Sequence, residues 1–101
     1  MIIVRDIFRV KFGQTKEVIA QWKIARDILQ KGGYGNLQPR LLTDLAGAPY
    51  YTVILETTYD SVTAWEKAHQ KMKDVAEWKA VYGKIIPLTE TGHREILSVI
   101  D

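Results

Sequence analysis

No cysteine occurs in the 101 residues, which excludes a disulfide framework, a thiolate metal site and a cysteine nucleophile. Nothing in the chain therefore calls for an oxidising compartment. Blocks of like charge are also missing. The 14 basic and 12 acidic residues are spread along the sequence and leave a net charge of +2, which disfavours nucleic acid or an anionic membrane as partner. No apolar run approaches the roughly 20 residues of a membrane span. The opening Met1-Ile2-Ile3-Val4 meets charge at Arg5 and Asp6, too soon for the apolar core of a signal peptide. The expectation is a cytoplasmic protein. With two histidines and no His-x-x-x-His spacing, a zinc site is not expected. Ser61 and Ser98 fit no triad arrangement, which leaves serine hydrolysis without support.

What is present is ordinary globular composition, 47% hydrophobic and 26% charged, in a chain of one-domain length (1–101). A domain of this size buries roughly 60–70% of the surface of its unfolded form, enough to fold with a thin margin. Ile2 to Phe12 alternates with the period of a strand: Val4, Phe8 and Val10 share one face with Asp6, and Ile3, Ile7, Arg5, Arg9 and Lys11 share the other. Thr15 fits a helix N-cap with Glu17 in the first turn. Val18, Trp22, Ala25 and Leu29 then recur at helical spacing until Gly32-Gly33 closes the helix.

Leu37 to Tyr59 reads as two strands joined by a tight turn. Pro39 cannot donate a ladder hydrogen bond, so its strand belongs at a sheet edge. Tyr50 to Thr58 suits an interior strand, with Tyr51, Val53, Leu55 and Thr57 on one face. Asp60 or Ser61 starts a second helix whose stripe is Val62, Trp65, Ala68, His69 and Met72. A break near Lys73-Asp74 precedes a further stripe of Val75, Trp78, Val81, Tyr82 and Ile85. Pro87 stops that helix, and Gly92 leads into a last strand from His93 to Ile100. The order is βαββαβ, which predicts an α+β, ferredoxin-like four-stranded antiparallel sheet with its helices on one face.

Two helices cover only one face of such a sheet, yet both faces of its strands carry large aliphatic residues. Burial of each is worth about 1.5–3 kcal/mol. Closure by a second copy, sheet against sheet, is therefore expected, with Arg5, Arg9 and Glu56 on the shared face or its rim. A monomer with scattered exposed apolar residues is the alternative.

Glu77-Trp78-Lys79, followed by Ile86-Pro87-Leu88, Thr91-Gly92 and His93-Arg94-Glu95-Ile96, resembles the closing segment of NIPSNAP-like proteins. Those belong to the dimeric α+β barrel superfamily, together with antibiotic-biosynthesis monooxygenases and heme-degrading monooxygenases. The resemblance implies a dimer formed through the sheets and a pocket between sheet and helices. It implies no single activity, because the superfamily spans cofactor-free oxygenation, heme degradation and isomerisation. The heme-degrading type uses an Asn on the first strand with a Trp and a His on the second helix. This chain has Asp6 there, and its Trp65 and His69 stand one turn apart, a departure from that pattern.

Asp6 is the leading catalytic candidate, since a carboxylate in an apolar layer is costly unless paired and suits a general base. Its plainer role is a packing hydrogen bond. His69 shares a helix face with Trp65 and suits a proton shuttle or an axial ligand, or merely a boundary position. His93 reads as a rim residue. Phe8, Tyr34, Tyr51, Trp65, Trp78 and Tyr82 are the candidate pocket lining, with Tyr34 as a lid in the Gly32-Gly33-Tyr34-Gly35 loop; aromatics at helical spacing also serve simply as core. Three readings stay open. One is a homodimer that binds a small apolar or aromatic molecule and acts on it as a cofactor-independent monooxygenase or isomerase, with Asp6 as base and His69 as helper. Another is a non-enzymatic dimer whose own side chains fill the pocket. The third is a heme-binding protein with His69 as ligand. The space between Asp6, Tyr51 and His69 separates the first two.

Overall fold

The computed structural model describes residues 1–32 and 39–100. The chain runs β1 (Ile2–Val10), α1 (Thr15–Gly32), β2 (Arg40–Thr43), β3 (Thr52–Tyr59), α2 (Val62–Lys73), α3 (Ala76–Ile85), a 3-10 turn (Ile86–Leu88) and β4 (Thr89–Ser98). All strand pairings are antiparallel, and the sheet order is β2-β3-β1-β4. This is the ferredoxin-like α+β arrangement, with β1 and β3 central. The strand that follows Pro39 lies at an edge, where a missing N–H leaves no gap in a ladder.

Period-two alternation sends Val4 and Val10 of β1 and Val53 and Leu55 of β3 toward the helices, where all four are buried. In α1 the buried residues are Val18, Trp22, Ala25 and Leu29, the stripe that the helical spacing predicts. Thr15 is the first helical residue rather than the cap. Ser61 does cap α2, its Oγ accepting from Ala64 N at 3.1 Å. The chain leaves helical geometry between Lys73 and Ala76, so α2 and α3 pack on different parts of the sheet. α1 and α3 cover one core containing Val10, Trp22, Val53 and Ile85. α2 lays Ala64, Trp65 and Ala68 against a smaller one of Ile2, Val4 and Tyr59.

Several boundaries differ from the sequence reading. β1 stops at Val10, and Phe12 beyond it is exposed. The two middle strands are joined not by a tight turn but by the eight residues between Thr43 and Thr52. Asp44 organises that connection, its Oδ1 accepting from Thr52 N at 2.9 Å. Gly47 (φ 83°) and Tyr51 (φ 63°) both take left-handed backbone there, so β3 begins at Thr52 rather than Tyr50. β4 begins at Thr89 rather than His93 and places Gly92 inside the strand. The part of the central segment from Leu37 to Gln38, and the Gly33-Tyr34-Gly35 loop, lie outside the described residues.

On the face away from the helices, Glu56 is buried although charged. Its Oε2 accepts from Arg5 Nε at 2.9 Å, and its Oε1 accepts from Arg40 Nε at 3.1 Å and from Arg40 Nη2. Both arginines are Glu56's cross-strand neighbours, so one carboxylate ties β1, β3 and β2 together. The Arg40 hydrogen bond, opposed by burial and helped by Arg5, holds the Glu56 carboxyl below its usual range.

Gly92 pairs with Phe8 across β1 and β4, and a Cβ on Gly92 would stand 2.8 Å from the Phe8 ring. That ring cannot retreat freely, because it stacks on Trp22 at 4.9 Å between centroids. Alanine would recover some of the entropy that glycine loses on folding, about 0.5–1 kcal/mol. Overpacking costs more. Gly92→Ala is expected to destabilise the fold by about 1–3 kcal/mol, read as a lowered urea midpoint; an unchanged midpoint would contradict this packing.

A chamber between the two cores

Because α2 and α3 diverge after Lys73, neither helix covers the middle of β1. A cavity of about 460 Å³ remains between sheet and helices, with Asp6 and Phe8 in its floor. Leu55, Thr57 and Tyr59 of β3 continue that floor, Trp22 and Leu29 of α1 form one wall, and Trp65, His69 and Met72 of α2 form the other. Trp78, Tyr82 and Gly83 of α3 border it as well. The volume falls within the usual small-molecule range of about 300–1,000 Å³, and an apolar lining with few polar groups is typical of such sites.

The aromatic side is a connected set of rings. Trp22 meets Phe8 in a stack, Trp78 edge-on at 6.2 Å and Tyr82 edge-on at 6.3 Å. Trp78 and Tyr82, one helical turn apart, are themselves stacked at 6.3 Å. Trp22 is buried, and its Nε1 has no hydrogen-bond partner among the described residues.

The polar side is built on the β1–β4 register. Asp6 stands opposite Arg94, and Arg94 Nε donates to Asp6 Oδ1 at 2.5 Å. The carboxylate that a one-strand reading leaves alone in an apolar layer thus has a counter-charge from a strand 88 residues away in sequence. The Arg94 guanidinium lies 5.0 Å from the centroid of the Trp65 ring, close enough for cation–π attraction. Trp65 in turn stacks on His69 at 5.4 Å.

Burial chiefly, with help from the charges of Arg94 and Lys73, pushes the His69 imidazole below its usual value of 6.5; Asp6 pulls the other way. Burial likewise pushes the Tyr59 phenol up, the Asp6 charge adding to it while Thr57 and Arg94 oppose it. His69 is therefore neutral at physiological pH, the form that accepts a proton.

Of the sequence candidates, Asp6, Phe8, Trp65, His69, Trp78 and Tyr82 all border this chamber. Tyr51 does not: it packs beside the larger core and edge-on to Phe12 at 5.4 Å. Tyr34 lies outside the described residues. His93 pairs with Ile7 across the strands and faces the other side of the sheet. Sequence reasoning passed over Arg94 and Tyr59 as chamber residues. Alternation within each strand places them on the helix side once the register is known. Among the described residues no group of three His, Asp or Glu side chains gathers to hold a metal ion, and no helix is long and apolar enough to cross a membrane.

His69 should titrate below 6.5 when followed by its imidazole proton resonances. Since the unfolded chain then binds more protons, its contribution to stability is present above 6.5 and fades as pH falls toward the lowered value. Arg94→Gln should move the midpoint up and Asp6→Asn should move it down. Shifts of the opposite sign would remove the electrostatic account of the cluster.

No protein-family model matches the chain, and no curated protein does. Solved structures do. A NIPSNAP family protein from Agrobacterium tumefaciens superposes with a TM-score of 0.85 at 23% identity, over 99% of this chain and 93% of that one. An uncharacterized NIPSNAP domain protein from Burkholderia xenovorans gives 0.83 at 16% identity, over 99% and 95%. An antibiotic biosynthesis monooxygenase gives 0.77 at 10% identity, over the full length of both chains. Identities this low speak for architecture rather than activity. The resemblance carried by Glu77 to Ile96 and the superposed backbones point to the same proteins: this chain has the α+β fold shared by NIPSNAP family and antibiotic-biosynthesis-monooxygenase-like proteins.

Proposed function

We propose that the protein binds a small, largely apolar or aromatic molecule in the chamber between its sheet and helices. The observation that carries this reading is the open space of about 460 Å³ reaching Asp6. A chamber filled by the protein's own side chains would have left a solid core at that position. The second observation is chemical: Asp6 and neutral His69 border the same space. A ligand proton can pass to Asp6 as general base with His69 assisting, and the resulting carbanion serves a cofactor-free isomerase or an oxygenase that uses dioxygen.

Gly83 stands at the chamber's border, and a Cβ there would meet nothing within 4 Å. The first carbon of a side chain at Gly83 thus meets no neighbour, and Gly83→Leu is expected to narrow the space, in a helix where replacing glycine is worth about 0.5–1 kcal/mol of added stability. Calorimetric titration with 2-naphthol and indole should show saturable binding to the wild-type protein. The leucine variant should bind about tenfold more weakly or worse, at an equal or higher melting temperature. No saturable heat with either compound, or equal affinity in the variant, would defeat the reading.

The functional unit in this proposal is a homodimer joined through the sheet faces. Ile3, Ile7 and Ile54 lie half-buried on the face away from the helices, beside the exposed Leu42 and Leu97 of β2 and β4. A second copy would cover this patch, and at its centre Glu56 pairs with Arg5 and Arg40 and offsets one of their two positive charges. Sedimentation equilibrium should give twice the single-chain mass of 11.6 kDa, and Ile7→Lys should return it to the single-chain value. A wild-type mass of one chain would rule out the dimer.

A further inference from the structure

Beyond a general taste for aromatic molecules, the chamber has a charge. Its lining holds three cationic side chains, Lys73, Lys79 and Arg94, against one carboxylate, Asp6. In a cleft with low-dielectric walls such an excess concentrates anions and repels cations. Arg94 is also held in position: Asp6 accepts from its Nε, and the Trp65 ring lies beneath its guanidinium. A guanidinium offers five N–H donors in a planar fork. Among the described residues only Nε is engaged, so the Nη groups remain available for a second acid. A planar carboxylate matches that fork with paired hydrogen bonds.

We propose that the ligand is an anionic aromatic molecule, a flat ring system bearing a carboxylate, with its acid group on Arg94 and its rings among Trp22, Trp78 and Tyr82. This rests on the ligand-binding reading above and narrows it to one chemical class. Lys73 and Lys79 supply the longer-range attraction. Asp6 keeps its hydrogen bond from Nε while the incoming acid takes the outer edge of the guanidinium.

The test compares 2-naphthoate with its neutral isostere 2-naphthamide on the wild-type protein by calorimetric titration. Naphthoate should bind about tenfold more tightly, the scale of one hydrogen bond to a charged group, and the advantage should shrink when salt is raised to about 0.5 M. Arg94→Gln should reduce the preference to within about twofold, and Arg94→Lys, which keeps the charge but loses the fork, should retain part of it. Equal affinity for the two compounds in the wild-type protein overturns the charge selection and leaves the chamber reading standing. Binding of neither overturns both. A tenfold preference that persists in folded Arg94→Gln overturns the assignment to Arg94, and should that variant fail to fold, the isostere and salt comparisons on the wild-type protein decide the matter.

Discussion

An acid on the apolar side of a central strand has to be met by a positive charge, and most of the site follows from how Asp6 is met. The partner comes from the neighbouring edge strand, because antiparallel register sets Arg94 directly across from it. The Arg94 side chain of that pair is more exposed than the Asp6 carboxylate, so water screens part of their attraction. Arg94 then brings Trp65 into the arrangement, and Trp65 brings His69. Four side chains from two strands and one helix thus form a chain of direct contacts. None of them is placed by the loops.

The chamber itself is a consequence of helix layout. A single straight helix from Val62 to Ile85 would cross the sheet along one line and cover it. The interruption after Lys73 instead sends α3 to α1 and leaves α2 with the far corner around Ile2 and Tyr59. Each half makes its own apolar contacts, and the space between them is what remains. The rings that face it come from both sides, with Trp22 and Trp78 from one core and Trp65 from the other.

Much of this was legible in the order of residues. The helical stripe of α1, the interruption at Lys73-Asp74 and the position of Asp6 on the helix side all follow from periodicity within one element, which needs no knowledge of the rest of the chain. What was not legible depended on relations between elements. The link from Arg94 to Asp6 requires a cross-strand register, and so does the fit of Gly92 against Phe8. Tyr51 misled for a local reason: counted back from Val53 it shares the helix-side alternation, but its left-handed backbone breaks that alternation just before β3 begins. The outer clamp of Glu56 was half visible, since Arg5 was expected near it while Arg40, in the short strand after Pro39, was not.

The chain contains three tryptophans, and all three border the same space. Indole emission responds to the polarity and motion of its surroundings, and here no fourth indole elsewhere dilutes that response. The protein carries an intrinsic optical reporter, tuned to the space between its two cores.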